Sequence, residues 1–119
     1  MKKLLWLDDI RNPLENNWLV FSPIDQPYEV IWVKKYHEYV SWITENGLPD
    51  AICFDHDLGC ESQEIEEMTG MNCAKWLVEY CMDNNKKLPL YNIQSANPVG
   101  KDNIDGLLKS YIKSNESSL

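Results

Sequence analysis

"AICFDHDLG" runs from Ala51 to Gly59. Its apolar half, Ala51 to Phe54, stops at Asp55-His56-Asp57. A short continuous apolar run closed by polar residues suits a strand buried on both faces. Acids this close repel one another. The strand end is therefore either a folding accident or the floor of a cation and phosphate site. The same design occurs earlier, where "KLLWLDD" is an apolar run closed by Asp8-Asp9.

Working outward from these two runs gives the rest of the chain. "YEVIWVKK" is a further β-branched and aromatic run, read as strand 2. "YHEYVSWITENG" then switches to helical spacing, with Tyr36, Val40 and Ile43 on one face and Gly47 as a stop. His37 opens that helix and is expected at the surface. After strand 3, a helix from about Thr69 places Met71, Ala74, Leu77 or Val78, and Cys81 on one stripe. Asn84-Asn85 mark its end. "LPLYNIQS" reads as strand 4 and "ANPVG" turns the chain. "DNIDGLLKSYIK" is the last helix, with Asp102 as its cap and Ile104, Leu107, Leu108, Tyr111 and Ile112 at helical spacing. Arg11 to Pro27 holds three prolines and no clean period, so a loop with at most a short helix is expected.

Strands alternating with helices imply βαβ units and a parallel sheet. The expected fold is three-layer α/β with about four strands in the order 2-1-3-4. Residues 1–114 form one domain and 115–119 a frayed tail. Ligands of open parallel sheets bind beyond the C-terminal strand ends, where the strand order reverses. Strands 1 and 3 are then neighbours. Asp8 and Asp9 end the first, Asp55 to Asp57 the second, and Ser95 and Asn97 follow strand 4 on the same edge.

Bulk properties bound the function. The 119 residues are 44% hydrophobic, enough for one packed domain. No apolar run approaches the roughly 18 residues of a membrane span. Aspartate interrupts "MKKLLWLDD" too early for a secretory signal, so a cytoplasmic protein is expected. The formal charge of −8 and pI of about 4.6 argue against a basic face for duplex DNA, and they permit a basic protein partner. Cys53, Cys60, Cys73 and Cys81 lack CxxC spacing. They read as small buried hydrophobes plus one loop thiol, with a zinc pair of Cys60 and His56 as the alternative. The five tryptophans read mostly as core, with one available to stack on a base.

Clustered carboxylates stay ionised together only beside a cation. Mg²⁺ takes oxygen ligands, keeps water positions open and can clamp a phosphate oxygen. Ser95 and the backbone N–H groups of the helix after "NPVG" can hold a second phosphate oxygen. Arg11 can add a charge-assisted bond, and His56 can move protons near neutral pH. Each residue has a plainer alternative. Asp8 or Asp9 can cap a loop, His56 can be structural, Ser95 and Asn97 can stabilise a turn, and Arg11 can pair with a surface acid.

"DD" after strand 1, "FDHDLG" after strand 3 and "SA" after strand 4 resemble a response-regulator receiver domain, a flavodoxin-like fold. The resemblance puts Asp55 in the phosphoacceptor place, Leu58 in the Leu/Met place and Gly59 in the Pro place. Asp57 falls where receivers offer a backbone carbonyl to the metal, and Ser95 matches the strand 4 hydroxyl. About 19 residues follow "SANPVG", so the fifth strand and its phosphate-contacting lysine are missing. The cyclic-phosphate processing receiver domains resemble the chain from end to end. Their "LDD-x-R-x-P", "DHDLG", "TG" and "HSANP-x-G" appear here as "LDDIRNP", "DHDLG", Thr69-Gly70 and "QSANPVG". Gln94 stands where that family has histidine.

The resemblance implies a metal-dependent phosphoesterase acting on a cyclic phosphate of a nucleotide or RNA end. Asp8, Asp9 and Asp55 would hold Mg²⁺ or Mn²⁺, with Asp55, His56 and Asp57 as the catalytic set. Asp57 or His56 would orient water, and Arg11, Ser95 and Asn97 would grip the phosphate. The alternative is a non-catalytic acidic module that keeps the receiver shape for binding or regulation.

Overall fold

The computed structural model describes residues 1–8, 12–15, 18–25, 27–55, 70–93 and 98–117. Four strands form one parallel sheet: β1 (Lys2–Leu7), β2 (Tyr28–Val33), β3 (Ala51–Phe54) and β4 (Leu90–Ile93). Their order is β2-β1-β3-β4, as the alternation of hydrophobic periods predicts. Three helices follow the last three strands: α1 (Tyr36–Asn46), α2 (Gly70–Asn84) and α3 (Pro98–Ser117).

The two faces of the sheet are covered differently. Leu5, Leu7, Ile52 and Phe54 point to the main core, which receives Tyr39 and Ile43 from α1, Leu77 and Cys81 from α2, and Ile104 and Leu108 from α3. All three helices thus contribute to one face. Leu4, Trp6, Ala51 and Cys53 point the other way, against Trp18, Leu19, Ile24, Val30 and Trp32. Among the described residues the layer on that side is the segment before β2, with one 3₁₀ turn at Trp18–Phe21. The loop expected over Arg11 to Pro27 therefore has a structural task, the covering of Trp6. Strand β1 is buried on both faces, which is why its sequence is continuously apolar.

Local chemistry sets the element ends. Gly47, at φ 84°, turns the chain out of α1, and its N–H donates to the Ile43 carbonyl at 2.8 Å. Asn85, at φ 55°, ends α2, and Lys86 N–H donates back to the Cys81 carbonyl at 2.8 Å, the six-to-one closure of a helix terminus. At the start of β3, Asp50 Oδ2 accepts the Lys3 N–H at 2.7 Å while Asp50 N–H donates to the Lys3 carbonyl at 3.0 Å. That double bond pins β1 and β3 in register.

One expectation needs correction. Asp102 is not a cap: α3 already begins at Pro98, and Asp102 is an exposed residue within it. Proline is favoured in a first helical turn because its missing N–H has no partner there in any case, and it brings the start forward. The backbone of α3 is helical as far as Ser117. The stripe on α1 is also wider than expected, since Tyr39 is fully buried beside Ile43 while Tyr36 and Val40 pack at the margin.

Candidate functional site

The reversal of strand order falls between β1 and β3, and their C-terminal ends carry the two buried acids among the described residues. Asp8 is 1% exposed and Asp55 6%. The ladder fixes their relation. Leu4 pairs with Ala51, Leu5 with Ile52 and Trp6 with Cys53. Carried two residues further, the same register sets Asp8 beside Asp55, with strands spaced by about 4.8 Å. Alternation along each strand puts both on the face of Trp6 and Cys53. Both acids take part in further interactions.

Asp8 is also tied to β2. Its N–H donates to the Val33 carbonyl at 3.1 Å, which extends the parallel ladder past Leu7. Its carbonyl accepts the indole Nε1–H of Trp32 at 2.8 Å. The Lys34 Nζ lies 4.4 Å from the centroid of the Trp32 ring, within cation–π range. The sequence reading grouped Trp32 with core tryptophans and passed over Lys34. Their signal was the register of "KLLWLD" against "YEVIWVK", which only the pairing of the strands reveals.

Asp9, Arg11, His56, Asp57, Ser95 and Asn97 lie outside the described residues, as do Cys60 and Gln94. Of the expected site, the structure therefore brings together Asp8 and Asp55. Among the described residues no group of three or more His, Cys, Asp or Glu converges. The donors present suit a hard divalent ion: both are carboxylate oxygens at adjacent strand ends. The neighbouring Cys53 thiol is buried, which pushes its pKa up to about 12. Cys53, Cys73 and Cys81 are free and buried, as expected of small hydrophobes. His37 is exposed in the first turn of α1, as expected. An open groove of about 510 Å³ lined by Lys2, Asp25, Pro27 and Asp50 lies at the opposite, N-terminal end of the strands.

A family model described as the cyclic-phosphate processing receiver domain matches residues 3–110. The chain belongs to this family. The match spans both acidic strand ends and all four strands. Solved structures agree on the fold. A fusion protein carrying the yeast Spc42 trimeric coiled coil is similar with a TM-score of 0.58 at 18% identity, over 96% of this chain and 77% of that one. NtrX from Brucella abortus gives 0.50 at 16% identity, over 98% of this chain but only 29% of its own length. A response regulator receiver domain protein from Clostridium thermocellum gives 0.47 at 16% identity over the whole of both chains. At identities this low the first two speak for the fold alone, and the third, below 0.5, adds nothing to it. Among curated proteins, none matches. No described helix is long and apolar enough to cross a membrane.

Proposed function

We propose that this receiver domain is a metal-dependent phosphoesterase that opens a cyclic phosphate on a nucleotide or RNA end. The observation that carries the reading is the side-by-side placement of two buried acids, Asp8 and Asp55, where the strand order reverses. Buried carboxylates at one point are costly without positive charge to balance them. A bound Mg²⁺ or Mn²⁺ would supply that charge, polarise the phosphorus and lower the pKa of its water. Asp8, Asp9 and Asp55 are the residues to hold it.

The remaining tasks fall to the chain's own groups. The phosphate must be fixed with one ester oxygen facing a proton donor. Ser95, Asn97 and Arg11 are the residues to grip its free oxygens. The departing oxygen needs a proton near neutral pH, and His56 is the histidine that follows Asp55. Asp57 or His56 orients the attacking water. The substrate is small and anionic, in keeping with an acidic chain that lacks a basic duplex-binding face. The cell compartment proposed is the cytoplasm, where thiols stay reduced.

The test is turnover of a panel of 2′,3′-cyclic and other cyclic phosphates with Mg²⁺, with mono- and diester controls. Asp55→Ala is expected to abolish turnover. His56→Ala is expected to lower it by about 10²-fold, the usual scale for a general acid–base group. Turnover that survives His56→Ala would discard this donor and leave a water on the metal in its place. Gln94, where the family motif has histidine, favours a second reading: a non-catalytic module that binds without turnover. Failure of every cyclic phosphate with every divalent metal would select that reading.

A further inference from the structure

We infer that Lys34 is a further anion-binding residue of the Asp8–Asp55 site, beside Arg11, Ser95 and Asn97, and that Trp32 holds it in place. This rests on the phosphate-site reading above but not on turnover. The pairing of β1 with β2 runs from Lys2↔Tyr28 to Leu7↔Val33. The bond from Asp8 N–H to the Val33 carbonyl is the one that pairs Asp8 with Lys34 in a parallel ladder. Together with the register of β3, this makes one row across three adjacent strand ends: Lys34, Asp8, Asp55. Alternation puts all three on the face of Trp32, Trp6 and Cys53. A cation thus stands beside two acids at the reversal of strand order.

The placement of Lys34 is built rather than incidental. Its ammonium rests over the Trp32 ring at 4.4 Å, closer than the 5.7 Å of Lys3 over Trp42. The Trp32 indole is itself anchored by its bond to the Asp8 carbonyl. Lys34 is exposed, so its ammonium is open to an incoming ligand. Asp8, Asp9, Asp55 and one divalent ion sum to about −1, so a phosphate anion needs more counter-charge than Arg11 alone brings. Lys34 supplies it by exchanging the ring face, a weak partner, for a phosphate oxygen, a strong one.

The experiment is calorimetric binding of inorganic phosphate to the Mg²⁺-loaded protein, for wild type, Lys34→Gln and Lys34→Arg. Lys34→Gln is expected to weaken phosphate about 10- to 100-fold, the scale of one lost charge-assisted hydrogen bond. Mg²⁺ affinity without phosphate is expected to stay the same or tighten, because a neighbouring positive charge has gone. Lys34→Arg is expected to keep most of the phosphate affinity. Trp32→Phe, which loses the indole donor but keeps an aromatic face, is expected to fall between. Equal phosphate binding by wild type and Lys34→Gln overturns the assignment, as does a wild type that binds no phosphate. Lys34-dependent binding without turnover of any cyclic phosphate would leave this assignment standing and remove hydrolysis instead.

Discussion

Tyr39 shows how a single side chain can carry a cost inside a sound core. It is fully buried between Phe54, at 6.2 Å, and Trp76, at 5.9 Å, and its hydroxyl has no hydrogen-bond partner among the described residues. An unpaired buried hydroxyl forgoes its bonds to water. Tyr39→Phe keeps the ring and removes that loss, so urea unfolding should give a gain of up to about 1 kcal/mol with unchanged slope. A clear loss would mean that the hydroxyl has a partner in solution. The buried thiols give a second prediction. Burial pushes Cys53 up to about 12 and Cys81 up to about 11, above the ordinary thiol value of about 9. Cys73 is raised by the same cause. A raised thiol pKa means the folded state holds its proton more tightly. The associated stability is complete below pH 9 and is lost as pH rises from 9 towards 12. Thermal unfolding should therefore change little on this account up to pH 8.5 and weaken steadily above 9, and iodoacetamide at pH 8 should leave these three thiols unlabelled until the protein unfolds.

At the scale of elements, the two glycines of known surroundings behave oppositely. Gly47 has a positive φ at the end of α1, so Gly47→Ala has room for its methyl but not the backbone angle. A loss of about 1 kcal/mol is expected. Gly106 lies inside α3 with open space around it, at a φ that alanine adopts. Gly106→Ala should stabilise by about 0.5–1 kcal/mol through lower chain entropy and better helix propensity. Asp102 belongs to the same helix. Since it is not a cap, Asp102→Ala should change stability by less than about 0.5 kcal/mol, against the ~1 kcal/mol of a true capping residue. A larger loss would restore a capping role. At the end of β4, Asn92 Oδ1 accepts the Ile93 N–H at 2.9 Å.

For the whole molecule, the prediction concerns metal and stability together. A ligand that binds only the folded state stabilises it by mass action. Mg²⁺ at ten times a millimolar dissociation constant would add about 1.4 kcal/mol. In a domain of this size that is a rise of roughly 3–6 °C in melting temperature. Wild type should show the rise, and Asp55→Asn should show little or none. A rise of equal size in both would place the bound ion elsewhere.

Much of this architecture was written in hydrophobic period alone. Continuous apolar runs closed by acids marked β1 and β3 because a strand covered on both faces has no polar side to display. Gly47 and Asn84-Asn85 marked helix ends because few residues tolerate the backbone angles found there. Alternation of strands and helices implies a parallel sheet, and in the order 2-1-3-4 Asp8 and Asp55 stand at neighbouring strand ends. The row that joins Lys34 to those acids was not legible, because register is a property of two strands and appears in neither one. The collection of all three helices against one face, with the segment before β2 covering Trp6 on the other, was equally hidden. An amphipathic stripe states that a helix is buried but not which face of the sheet receives it, and that choice is made only by packing.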